Sequence, residues 1–145
     1  MPTTRNNRVI HFEIHATDPQ ELAKFYTDVF GWSVEEWKPP EGITLKDENR
    51  YWGVMSAPMD SKEPGINGGI VVRKGPKPTG NEPVSSFVST IDVENVDKCL
   101  KKIESAGGTI AIPKMAIPKM AWLAYAKDPD GNIFGIFEAD PEAMN

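Results

Sequence analysis

The chain has little of what builds redox, disulfide or zinc chemistry: its 145 residues hold a single cysteine, Cys99, and two histidines, His11 and His15. One cysteine cannot form an internal disulfide, and a Cys/His zinc site needs four such ligands, so neither can be assembled from this chain. No apolar run approaches the roughly 18 residues needed to span a bilayer. The polar start, MPTTRNN, lacks the apolar core of a secretion signal. Basic residues are outnumbered, 16 Lys+Arg against 21 Asp+Glu, and the net charge of −5 argues against a nucleic-acid footprint. The expectation is a cytoplasmic protein with no nucleic-acid or membrane partner. A hydrophobic content of 39% and a length that buries roughly two thirds of the unfolded surface suit a domain that folds without staples.

What is present falls into two copies of one plan. Residues 8–14 (RVIHFEI) read as a strand with His11, Glu13 and His15 on one face and Ile10, Phe12 and Ile14 on the other. Asp18-Pro19-Gln20-Glu21 is a helix start, and Leu22, Phe25, Tyr26, Val29 and Phe30 recur at helical spacing up to Gly31. Strands are expected at Trp32 to Trp37, Tyr51 to Ala57 and Asn67 to Arg73. The order then repeats: a strand at 85–91, Asp92 in the place of Asp18, and a stripe of Val96, Cys99, Leu100 and Ile103 closed by Gly107-Gly108. That stripe makes Cys99 a core residue. Three more strands are expected at Thr109 to Pro113, Trp122 to Lys127 and Ile133 to Glu138, the last two joined by the turn Asp128-Pro129-Asp130-Gly131-Asn132.

The fold class is therefore α+β: two βαβββ modules around a shared concave cavity. The boundaries are a polar tail at 1–7, a first module at 8–74, a Pro/Gly linker at 75–83, a second module at 84–140 and a tail at 141–145. The tandem AIPKM-AIPKM (111–120) is too short for a repeat unit, and its prolines suit an extended connection, with a loop at a cavity mouth as the alternative.

Val9-Ile10-His11-Phe12-Glu13-Ile14, then Asp18, Phe25-Tyr26 and Phe30-Gly31-Trp32, resembles the opening motif of vicinal-oxygen-chelate proteins: glyoxalase I, extradiol dioxygenases and bleomycin-resistance proteins. Trp122 to Glu138, with Asp128-Pro129-Asp130-Gly131-Asn132 and Phe134-Gly135, resembles their closing hairpin. The branch most similar is a glyoxalase-like one whose activity is unassigned. The resemblance implies a divalent metal held by four strands, two per module, through His, Gln or Glu. The first position, seven residues before the helix-starting aspartate, is His11. Its counterpart before Asp92 is Ser85, the closing-strand position is Gly135, and no Asp, Glu, His or Cys lies between Pro64 and Asn81. His11 is the one matching position. His11 and Glu13, about 7 Å apart along a strand, could share an ion, whereas His15 lies about 13 Å from His11. Glu138 is expected on the strand face opposite Gly135.

No cofactor is expected, with a divalent metal as the alternative. The candidate ligand-binding residues are His11, Glu13, Trp52, Trp122, Gly135 and Phe137. The two indoles would stack on a planar or cationic molecule, Gly135 would leave space beside Phe137, and His11 with Glu13 would form a polar pair. Three functions compete: a small-molecule binder that has lost the family metal, a glyoxalase-like lyase or isomerase using His11 and Glu13 with or without metal, and a homodimeric interaction module without a ligand.

Overall fold

The computed structural model describes residues 7–84 and 86–145, which form eight strands and two α-helices in two units. His11–Phe87 make up one unit. The other joins Val88–Asn145 to the start of the first strand, through Ile10, so the division falls at 87/88 rather than in the 75–83 linker.

In the first unit β1 (Arg8–Ala16) leads into α1 (Pro19–Phe30), β2 (Ser33–Glu36), a 3-10 turn (Asp47–Asn49), β3 (Tyr51–Met55) and β4 (Gly68–Val72). The helix starts as the sequence dictates: the Asp18 carboxylate accepts from the Glu21 amide at 3.1 Å, and Pro19 occupies the first turn. It stops at Gly31, whose φ of 73° is left-handed. β2 and β3 pair antiparallel, as do β3 and β4, while β4 runs parallel to β1. Phe12, Ile14, Ala16, Trp52, Val54 and Ile70 form the buried cluster, against which Leu22, Ala23 and Tyr26 of α1 pack. Only part of the expected helical stripe is covered, since Phe25, Val29 and Phe30 are 52–59% exposed.

The second unit contains β5 (Val88–Asp92), α2 (Val96–Ser105), β6 (Thr109–Ile117), β7 (Ala121–Lys127) and β8 (Ile133–Ala139). β5 pairs parallel with β8, and β8–β7 and β7–β6 are antiparallel. The helix begins three residues later than the Asp92 expectation: Asn95 is the cap, its side-chain oxygen accepting from the Lys98 amide at 2.8 Å. The β7–β8 turn closes on Asp128, whose carboxylate accepts from the Asp130 and Asn132 amides and the Asn132 side chain; these bonds hold it below the usual carboxylate range.

The AIPKM tandem departs from the loop expectation. Ala111 to Ile117 belong to β6, with register irregularities between Ile110 and Ile112 and between Ile112 and Met115. Pro113 falls inside the second irregular stretch, where a strand tolerates a missing amide. Among the described residues no helix is long and apolar enough to cross a membrane.

Candidate functional site

Strand alternation divides the candidate residues before any side-chain contact is considered. Trp52 lies opposite Ile70 and Glu36, on the face that buries Phe12 and Ile14 under α1. His11 and Glu13 face the other way. Glu13 is paired with Gly69, which is paired in turn with Gly53. Those two glycines leave the middle of this face without side chains.

Tyr51 fills the space. Its hydroxyl lies 3.0 Å from His11 Nε2, and the two rings are near-parallel at 6.3 Å. A Cβ built on Gly69 would stand 2.1 Å from the phenol oxygen, so only glycine admits the ring in this position. Burial, reinforced by the Glu13 carboxylate, raises the Tyr51 pKa above its ordinary value and keeps the phenol protonated. Burial also pushes the His11 imidazole below its usual pKa, towards the neutral form. Between a protonated phenol and a neutral imidazole this is one hydrogen bond: Tyr51 donates to Nε2 when the ring proton sits on Nδ1, and Nε2–H donates to the phenol oxygen in the other tautomer. Glu13 is only 7% exposed. Tyr51 is the site residue that sequence reasoning missed; the Gly68-Gly69 doublet inside a strand was the available signal, because it marks close approach by another group.

The remaining candidates lie in the second unit and divide in the same way. Trp122 pairs with Glu138 on the α2-covered face, while Gly135 and Phe137 share the opposite face with Thr90. The space left by Gly135 is closed by its neighbours: a Cβ there would meet Thr90 Oγ1 at 3.1 Å and the Tyr125 ring at 3.3 Å. Phe137 is half-buried opposite Leu123. Both indoles differ from the stacking platforms expected of them. Trp52 is 6% exposed with the Arg50 guanidinium 4.9 Å from its ring, and Lys114 Nζ stands 4.4 Å from the Trp122 ring, whose Nε1 donates to Asp140 at 2.9 Å. Each already carries a cation from its own chain. Glu138 takes the face opposite Gly135 and accepts from the Val96 amide at 2.8 Å, at the N-terminus of α2.

The register also revises the counterpart of His11. Glu13 stands opposite Gly69 and Thr90 opposite Gly135 across parallel pairs, which makes Gly69 the equivalent of Gly135 and Val88 the equivalent of His11. Ser85, assigned that place by counting from Asp92, lies outside the described residues. Three of four family ligand positions are thus apolar or lack a side chain, and the fourth, His11, has its Nε2 engaged by Tyr51. This donor set does not fit the metal that the fold implies, and among the described residues no three His, Cys, Asp or Glu side chains group to hold an ion.

Comparison with solved structures supports the same architecture. A hypothetical protein from Bacillus halodurans C-125, BH1468, aligns with a TM-score of 0.61 at 13% identity, covering 96% of this chain and 99% of that one. Methylmalonyl-CoA epimerase from Mycobacterium tuberculosis aligns with a TM-score of 0.62 at 14% identity, covering 97% and 94%. A Vibrio splendidus 12B01 protein described as a glyoxalase/bleomycin resistance protein/dioxygenase superfamily member gives 0.55 at 16% identity, covering 91% and 98%. These identities establish a shared fold alone. Among curated proteins, the provisionally named glyoxylase CFP32 of Mycobacterium bovis and Mycobacterium tuberculosis is 28% identical over 130 residues, 88% of this chain. The aligned segment spans only 44% of that relative's length. Residues 8–136 match the Glyoxalase/Bleomycin resistance protein/Dioxygenase superfamily, and the chain belongs to it.

Proposed function

We propose that this protein binds a small organic molecule on the strand face of His11, Glu13 and Tyr51, without the family metal. The observation that carries this is the Tyr51–His11 hydrogen bond, which engages the one side chain that matches a family ligand position. With the indoles engaged elsewhere, recognition passes from stacking to polar contacts. The His11 Nδ1 offers a hydrogen-bonding nitrogen, and the Glu13 carboxylate suits a ligand group that donates or carries positive charge.

The decisive experiment is a titration of metal-stripped protein with a panel of small hydroxy, amino and keto compounds, following the His11 ring and Tyr51 by NMR. Saturable shifts at both residues, unchanged by EDTA, are the expected result. Stoichiometric divalent metal whose removal shifts the His11 ring would overturn the metal-free assignment.

A second function is favoured by the coupling of Tyr51 to both His11 and Glu13: proton transfer at a carbon acid, with the neutral imidazole and the phenol as acid/base partners. The similarity to a protein named as a glyoxylase is in keeping with it. Incorporation of solvent deuterium into a C–H bond of a bound panel compound, lost in Tyr51→Phe, would distinguish catalysis from binding.

A further inference from the structure

His15 and Arg73 lie at the far end of the face that carries His11 and Glu13, and neither is used by the Tyr51–His11 pair. His15 stands opposite Val71 in the β1–β4 pairing. Arg73 follows directly after β4, its backbone amide donating to the Ala16 carbonyl at 2.8 Å. Its guanidinium turns back along the strand, and Nη2 donates to the His15 carbonyl at 2.8 Å. That bond holds the cation against β1. Arg73 makes none of the ion pairs among the described residues.

Two nitrogens are left over. Arg73 Nε and His15 Nε2 are both buried, and neither has a hydrogen-bond partner among the described residues. A guanidinium N–H can only donate, so a buried Nε–H without an acceptor is a standing penalty that water or a ligand oxygen would relieve. The His15 ring feels the charges of Arg73 and Lys74. Tyr51 stands across Val71 from His15 in the same sheet row, and Glu13 is the nearest carboxylate on the strand, about 7 Å away by strand spacing.

We propose that His15 and Arg73 form an anion-binding site for the carboxylate or phosphate group of a small molecule. One oxygen accepts from Arg73 Nε–H and from His15 Nε2–H, and Lys74 adds positive charge at the rim. The planar fork of arginine suits the planar or tetrahedral oxygens of such groups. Glu13 repels an anion from the centre of the face and so confines it to the His15 end. Together with the site at His11, this describes a ligand about 13 Å long from acidic end to polar end, measured along β1. That extension rests on the function proposed above; the anion site itself does not.

The test is an NMR titration of the full chain with inorganic phosphate and, separately, with acetate, at ionic strength held constant with chloride. The signals followed are Arg73 Nε–Hε and the His15 ring. Saturable shifts at both residues are expected with at least one anion. A phosphate-only response identifies a phosphate site, and an acetate-only response a carboxylate site. Arg73→Gln should weaken the response about tenfold or more, as expected for a charge-assisted bond. Arg73→Lys keeps the charge but loses the fork, and it should recover only part of the affinity. Lys74→Gln, an exposed change that leaves folding unaffected, should weaken binding several-fold. Shifts that stay linear for both anions, or that chloride reproduces, would overturn the proposal and leave water as the partner of the two nitrogens. If His11 and Tyr51 ignore every panel compound while Arg73 saturates, the function proposed above fails and the anion site stands.

Discussion

The Tyr51 hydroxyl and His11 Nε2 are hydrogen-bonded across 3.0 Å, linking residues 40 apart in sequence. The contact exists because Gly69, between them on β4, has no side chain. Three elements thus build the surroundings of one imidazole: β1 supplies the ring, β3 the phenol and β4 the gap.

Removing the phenol oxygen tests this directly. Tyr51→Phe keeps the ring and deletes the oxygen, and it should destabilise the fold by roughly 1 kcal/mol, the usual net worth of one buried hydrogen bond. The lowered His11 pKa comes from burial, which phenylalanine retains, so it should stay below its ordinary value. Chemical denaturation and an NMR pH titration of His11 check the two outcomes.

Gly69→Ala should displace the Tyr51 phenol, because the new methyl would stand 2.1 Å from its oxygen. A cost of about 1–3 kcal/mol is expected for such overpacking. In a Tyr51→Ala background the clash has no partner, and most of that cost should vanish in a double-mutant cycle. Gly68→Ala behaves differently, since its Cβ would meet the Phe12 carbonyl as well as the Phe12 ring. Its penalty should persist in the same background.

Stability should fall on acidification. Burial holds both His11 and His15 below the ordinary value of 6.5, helped at His15 by Arg73 and Lys74. Between the folded values and 6.5 the unfolded chain binds more protons than the folded one, so stability rises with pH across that window and is lost as pH falls through it. Tyr51 acts at the other end: its raised pKa means that stability declines once the unfolded phenol ionises, above about pH 10. Melting curves from pH 4 to 11 should show both slopes. His11→Gln with His15→Gln should flatten the acid one, and Tyr51→Phe the alkaline one.

Glu138 should contribute to folding through α2. Its carboxylate accepts from the Val96 amide at the helix N-terminus, where negative charge is favoured. Glu138→Ala should destabilise by about 0.5–2 kcal/mol. Glu138→Gln, which keeps an acceptor and loses the charge, should fall between it and the wild type. Asn95→Ala, removing the neighbouring cap, should have a similar effect.

Local chemistry made most of the scaffold legible in the sequence. Asp18-Pro19, Gly31 and Asp128 to Asn132 specify their caps and turn with their own side chains and φ angles, and the structure keeps each of them. The start of β6 is legible as the strand expected at Thr109 to Pro113; its continuation to Ile117 is not, because proline argues against a strand and only the register irregularities around Pro113 admit it. Asp92 precedes the Val96 stripe at a spacing that suits a cap, and only the Asn95–Lys98 hydrogen bond distinguishes the two positions.

The sequence by itself determined the two βαβββ repeats and the face shared by His11 and Glu13. Both depend on residue identity and spacing along single elements. Only tertiary structure decided that Trp52 turns into a core, that Gly135 is closed over by Thr90 and Tyr125, and that Tyr51 and Arg73 reach back to β1. Those contacts depend on which strands pair and in what register, and a slip of one residue would send every one of these side chains to the opposite face.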